Sequence, residues 1–136
     1  MIKSIEYDGT ILPFDDNTFD IVFSNSTIEH VGDLNKQKLF AMEVERVGRK
    51  HFIQVPSYWF IFEPHAQIPF FQFLPNYFKK LVLNVYNRST YSVDELVSIR
   101  LLKKSEIKSL FPGSKIVTER FFLMPKSYYI ITSANK

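Results

Sequence analysis

Two short apolar runs, Phe19 to Ser24 (FDIVFS) and His51 to Val55 (HFIQV), flank a segment whose apolar residues recur at helical spacing. This pattern constrains the fold more than any other feature. Runs of that length and composition read as buried parallel strands. Between them, Asp33 suits the N-cap of a helix over about Leu34 to Val47. Phe40, Val44 and Val47 share one face of it, while Lys36, Glu43 and Arg46 are expected to stay in water. Gly48 suits the stop, and Pro56 closes the second run. Met1 to Tyr7 is short and partly alternating, as a strand would be. Asp8-Gly9 breaks it, and Leu12-Pro13-Phe14 with Asp15-Asp16-Asn17 reads as a loop with a turn. Strand, loop, strand, helix, strand is α/β order.

Tyr58 to Pro75 is aromatic and proline-rich, too long for a simple connector. Ser92-Val93-Asp94-Glu95 has capping-box spacing and predicts a short helix. Ser105 is expected to cap another that runs to about Phe111 and ends at Pro112-Gly113. Lys115 to Phe122 and Tyr128 to Thr132 are β-rich, and the LMPKS link between them predicts an antiparallel hairpin.

At 136 residues, with 46% hydrophobic and 23% charged residues, the chain can bury a modest core as one domain. It has no cysteine, which excludes disulfides and thiolate metal sites and fits a cytoplasmic location. Half of the acids (Glu6, Asp8, Asp15, Asp16, Asp20, Glu29, Asp33) fall in the first 33 residues, against one base, Lys3. The rest is basic, and this gradient reads as a solvated mixed surface. The first six residues lack the apolar core of a signal peptide. The most apolar stretch, Pro56 to Pro75, holds four prolines and Glu63, so no membrane-spanning segment is expected. No motif points to nucleic acid, and Arg100, Lys103, Lys104 and Lys108 read as a solvated face.

Asp8-Gly9, Leu12-Pro13-Phe14, Asp16, Phe19-Asp20, Val22, Ser24 and Glu29-His30-Val31 together resemble the mid-domain signature of small class I S-adenosylmethionine-dependent methyltransferases. EVERVGRKHFIQVPS resembles that family's next helix and fifth strand. PKSYYIITS resembles the end of its final hairpin. The resemblance covers nearly the whole chain. It implies a partial class I, Rossmann-like α/β fold ending in an antiparallel β-hairpin, taken from a sheet of order 3-2-1-4-5-7-6. Residues 1–136 would form a single partial methyltransferase domain, with 58–90 as an aromatic insertion on the substrate side.

The resemblance also implies site residues. Asp8, Gly9 and Thr10 would meet the adenine edge, where the Asp8 carboxylate can accept from the amino group. Leu12 would pack on the adenine face. Ser24 and Asn25, at the end of the fourth strand, would line the methionine part of S-adenosylmethionine, as expected at the carboxyl end of an open α/β sheet. Taken alone, Asp8-Gly9 reads as a turn, and Leu12 and Phe14 read as core.

The sequence departs from the family in one large respect. The glycine-rich turn after the first strand and the acidic residue of the second strand are absent. The four glycines, Gly9, Gly32, Gly48 and Gly113, form no G-x-G. The chain alone is therefore expected to bind S-adenosylmethionine weakly or not at all, and to be inactive by itself. A fold lacking the first two strands also exposes one edge of the strand at Phe19 to Ser24, which predicts a homodimer through that edge or by exchange of the N-terminal segment.

On the substrate side the candidates are His65 and His30. His65 reads as a base or substrate contact, or as a loop histidine bonded to backbone; His30 reads as catalytic or as structural at a helix start. Glu29, His30, Asp33, Glu63 and His65 supply ligand types without a metal-binding spacing, so no metal is expected. The acceptor would be a small or lipid-linked molecule. Two rival readings stand beside the transferase: a non-catalytic dimerising or interaction module, and a peripheral lipid binder. The second rests on Trp59, Phe60, Phe62, Phe70, Phe71 and Phe73 followed by Lys79-Lys80.

Overall fold

The computed structural model describes residues 11–62, 65–86 and 91–133. The expected strand at Met1 to Tyr7, and Asp8, Gly9, Thr10 and Glu63, lie outside the described residues. Four strands, β1 (Val22–Asn25), β2 (His51–Pro56), β3 (Lys115–Phe121) and β4 (Met124–Ile131), form one sheet of order β1-β2-β4-β3. β1 and β2 are parallel, with Val22 opposite His51 and Asn25 opposite Gln54. β4 runs antiparallel to both β2 and β3. This is the 4-5-7-6 half of the sheet order that the resemblance implies, and the chain has that α/β fold.

Helix α1 (Leu34–Val47) joins β1 to β2 and begins where expected: the Asp33 carboxylate accepts from the Lys36 N–H at 3.0 Å. Its apolar face, Phe40, Ala41, Val44 and Val47, is buried. With Ile53, Val55 and Ile130 of the sheet and Ile107 and Phe111 from the later chain, it forms the main core. β2 alternates as a sheet strand should, sending His51, Ile53 and Val55 into this core. On the other face Phe23, Phe52 and Tyr129 form a row, with ring centroids 5.9 and 5.6 Å apart.

Several expectations change. β1 starts at Val22 rather than Phe19, although Phe19 and Asp20 still bond the turn after α1 (Phe19 N–H to Val47 O, 2.9 Å; Lys50 N–H to Asp20 O, 3.1 Å). Nor is β1 buried on both faces: Phe23, and Ile21 just before the strand, are 67% and 62% exposed, and among the described residues β1 pairs on one side alone. Glu43 does not stay in water; it is buried, and Arg46 is held against it. The helix expected after Ser105 is α4 (Lys104–Leu110). The Glu106 carboxylate starts it by accepting from the Lys103 N–H at 2.7 Å. Met124 to Ser127 belong to β4, so the hairpin closes at Phe122-Leu123, with Phe122 in the left-handed region (φ 53°).

The aromatic insertion contains a helix that the sequence reading passed over, α2 (Asn76–Tyr86). It packs on α3 (Val93–Ser98), which has the expected Ser92–Glu95 capping box. Leu83 of α2 meets Ala66, Phe71 and Leu96 in a second small core. A 3₁₀ turn at Phe71–Phe73 feeds α2. Among the described residues no helix is long and apolar enough to cross a membrane.

Gly48 ends α1 for a reason other than backbone freedom. Its φ of −108° is ordinary, but a Cβ there would lie 2.5 Å from Val22 Cγ2 and 3.0 Å from the Lys50 carbonyl oxygen. Gly48→Ala should therefore lower stability by about 1–3 kcal/mol through overpacking. Adding Val22→Ala should recover part of the loss in urea unfolding, whereas additive losses would contradict the close contact.

Candidate functional site

The carboxyl ends of β1 and β2 are where an open α/β sheet places its ligands, and the described candidate residues gather there in two groups. The first surrounds a cleft of about 340 Å³ lined by Leu12, Ser24, Asn25, Phe40 and Val44. Leu12 comes from the loop before β1, and Ser24 and Asn25 from β1 itself. The Ser24 hydroxyl is buried and has no hydrogen-bond partner among the described residues, so it can serve a ligand. Asn25 also borders a second cavity of about 360 Å³, with Gln54, Ser57 and Tyr129.

The loop carrying Leu12 is fixed by the two α1 residues that had been expected in water. Arg46 donates from Nε and Nη2 to both Glu43 carboxylate oxygens, at 2.8 and 2.7 Å. The same guanidinium donates to the carbonyls of Phe14 (2.7 Å) and Leu12 (3.0 Å) and to Asp16 (3.0 Å). Glu43 in turn accepts from the Leu12 N–H at 2.7 Å. Bidentate, charge-assisted bonds of this kind combine strength with direction. The Arg46 bonds, against desolvation, hold the Glu43 carboxyl below its ordinary value of 4.5. The i,i+3 spacing of Glu43 and Arg46 was visible in the sequence, but its reach back to the loop was not.

The second group is Glu29, His30 and His65. After β1 the chain turns at Ser26, which sits in the left-handed region (φ 49°). It is held by its N–H to Gln54 O (3.1 Å) and its hydroxyl to Gln54 Oε1 (2.9 Å). A non-glycine residue there carries strain that the surroundings must offset, a condition concentrated at functional sites. A single 3₁₀ turn, Ile28–His30, follows. Gln37 of α1, fully buried, anchors it: its side-chain amide donates to the Ile28 carbonyl at 3.1 Å and to the Arg100 carbonyl at 2.9 Å. The Arg100 N–H donates to the Glu29 carbonyl at 3.0 Å. Gln37 is a second residue that periodicity alone does not reveal.

His65 reaches this turn from the loop after β2. The two Nε2 atoms of His30 and His65 are 3.0 Å apart, and His65 Nε2 lies 3.8 Å from Glu29 Oε1. Glu29 is 1% and His65 9% exposed, whereas His30 faces solvent. Tyr91 stacks on His30 and meets His65 edge-on. His30 and His65 are thus brought together, but they do not line the cleft of Leu12, Ser24 and Asn25.

An α/β sheet of this order, with a cleft at the ends of its parallel strands, defines the class of fold. Residues 2–51 match the family model described as a methyltransferase domain. The structure is similar to a SAM-dependent methyltransferase from Aquifex aeolicus (12% identity, TM-score 0.50), covering 96% of this chain and 55% of that one. It is also similar to a SAM-dependent methyltransferase from Methanosarcina mazei (13% identity, TM-score 0.51), covering 94% of this chain and 64% of that one. Among curated proteins none matches the sequence significantly. The family match is confined to residues 2–51, the fold is that of these two solved methyltransferases, and the chain spans between half and two thirds of their length.

The Glu43–Arg46 clamp has a pH signature. A carboxyl whose folded pKa is depressed contributes stability that is fully present above its unfolded value of 4.5 and lost as pH falls through the lower folded value. Urea unfolding of the wild type should therefore show stability declining below about pH 4.5. Glu43→Gln should flatten that part of the decline, and Arg46→Ala should lower stability at pH 7 while leaving the acid limb shallower than in the wild type. An unchanged acid limb in Glu43→Gln would contradict the clamp.

Proposed function

We propose that this chain provides the adenine-side and acceptor-side parts of an S-adenosylmethionine-dependent methyltransferase acting on a small or lipid-linked acceptor. The observation that carries the reading is the convergence of Leu12, Ser24 and Asn25 on one cleft at the carboxyl end of β1, within the segment that matches the methyltransferase family. The cleft suits the cofactor's chemistry: Leu12 offers an apolar face to a flat base, and Ser24 and Asn25 offer hydroxyl and amide groups to a polar tail. Asp8, Gly9 and Thr10 are proposed for the adenine edge. When bound, S-adenosylmethionine supplies an electrophilic methyl group on a sulfonium.

The residues of this chain supply position and a proton acceptor. Two neutral imidazoles with Nε2 atoms 3.0 Å apart share one proton between them. The pair as a unit can take up another, with the Glu29 carboxylate 3.8 Å from His65 Nε2 to favour the positive charge. His65 and His30 are accordingly proposed to receive the acceptor's proton. A lipid-linked acceptor is supported by the exposed aromatics of the insertion, among them Trp59, Phe62, Phe70, Tyr77 and Phe78, next to Lys79 and Lys80.

A second reading, a dimerising module derived from a methyltransferase, is favoured by the edge of β1, which no strand covers among the described residues, and by Ile21 and Phe23 in water. Both readings place the chain in the cytoplasm, without nucleic-acid partners.

Calorimetric titration with S-adenosylmethionine and S-adenosylhomocysteine, followed by light scattering, separates them. Because these 136 residues hold no G-x-G turn, we expect weak saturable binding near the millimolar range, about −4 kcal/mol. Leu12→Ala and Ser24→Ala should each weaken it roughly tenfold, about 1.4 kcal/mol. A short-chain phospholipid titrated in the same cell should also give heat. Absence of heat at millimolar cofactor, with a clean dimer, would overturn the transferase reading in favour of the module.

A further inference from the structure

We propose that Glu29, His30 and His65 form a binding site for a divalent transition-metal ion of the zinc type. No ligand spacing in the sequence announces it, because His30 and His65 are 35 residues apart and meet only through the fold. One donor atom from each of the three residues lies within 4.8 Å of the other two. In zinc sites the metal–nitrogen distance is about 2.0–2.1 Å, which places two tetrahedral nitrogens roughly 3.3–3.4 Å apart. The His30 and His65 Nε2 atoms stand 3.0 Å apart, and Glu29 Oε1 is 3.8 Å from His65 Nε2. Onto one ion those two separations change by a few tenths of an ångström, and the third, between His30 and Glu29, closes from no more than 4.8 Å.

The surroundings favour a cation at this point. The two rings present nitrogen edges to one another with planes 85° apart, not stacked faces, so both lone pairs can converge where one proton is now shared. A buried carboxylate beside them supplies negative charge in a medium that makes charge pairing strong. The backbone carrying two of the donors is already fixed by Gln37 and Arg100, so little ordering remains for binding. His30 faces solvent and gives the ion an entry path.

Two imidazoles and one carboxylate are a donor set that suits zinc with a position left open. An ion bound there would displace the shared proton, so affinity should fall as pH drops below the histidine range. An acceptor hydroxyl or water at the open position would lose its proton more easily. The site stands on the cluster geometry alone and does not require that the chain transfer methyl groups.

The test is a titration of the untagged, chelator-treated chain with cobalt(II), with zinc as competitor. One equivalent of cobalt should give visible ligand-field absorption, abolished by one equivalent of zinc. Glu29→Gln and His65→Ala should lose the bands and weaken zinc binding by about 100-fold, at or beyond the upper end of what outer-shell changes do. His51→Gln changes the third of the three histidines and should leave the bands intact. Where a variant loses its circular dichroism, the ring nitrogens of the wild type decide instead. Zinc should shift those of His30 and His65 and spare those of His51. Absent bands, or bands that depend on His51 and not on His65, would overturn the proposal.

Discussion

The Glu43–Arg46 pair joins the two halves of the cleft at the carboxyl end of β1. β1 contributes Ser24 and Asn25 from the sheet, whereas Leu12 arrives on a loop with no regular structure of its own. One guanidinium, oriented by two bonds to Glu43, gathers the carbonyls of Leu12 and Phe14 and the carboxylate of Asp16 onto α1. Proline at position 13 removes one backbone donor from this loop, and Glu43 satisfies the Leu12 N–H beside it. The L-P-F-x-D motif is thus the loop half of a lock whose other half lies on the following helix. Gln37 acts in the same way about two turns earlier in α1, tying down the Ile28 and Arg100 carbonyls. Helix α1 therefore positions both groups of candidate residues from its polar positions while its apolar stripe fills the core.

Much of the fold was legible because local rules agree with it. Asp33 is a cap, Leu34 to Val47 has one apolar face, and Ser92 to Glu95 is a capping box; each needs only neighbours in sequence. The β-hairpin was legible as a pair of β-rich runs. Its turn was misplaced because Pro125 and Lys126 read as loop residues, although Pro125 sits beside a register shift in the ladder, where a lost N–H is tolerated. Helix α2 was hidden by the prolines before it. Pro75 in fact precedes its first residue, where a proline is compatible with a helix, and Phe78, Leu81, Val82 and Val85 then recur at helical spacing.

The site was legible by resemblance more than by chemistry. Leu12, Ser24 and Asn25 were singled out on family spacing, and the fold gathers them around one cleft. Glu43 and Arg46 looked like surface residues because an i,i+3 pair on a helix usually is one; their partners lie about thirty residues away. The His30–His65 contact spans 35 residues and an intervening strand and helix, so no local motif encodes it. Long-range polar pairs of this kind depend on how elements pack, which periodicity does not report.

The central claim is that the cleft of Leu12, Ser24 and Asn25 is a cofactor site in a methyltransferase fold. Backbone-amide NMR of the labelled chain during titration with S-adenosylhomocysteine tests it at residue level. Shifts concentrated on Leu12, Ser24, Asn25 and Val44, with the α4 and β3 amides unmoved, are the expected result. Shifts confined to the aromatic insertion, or none at millimolar ligand, would contradict the claim.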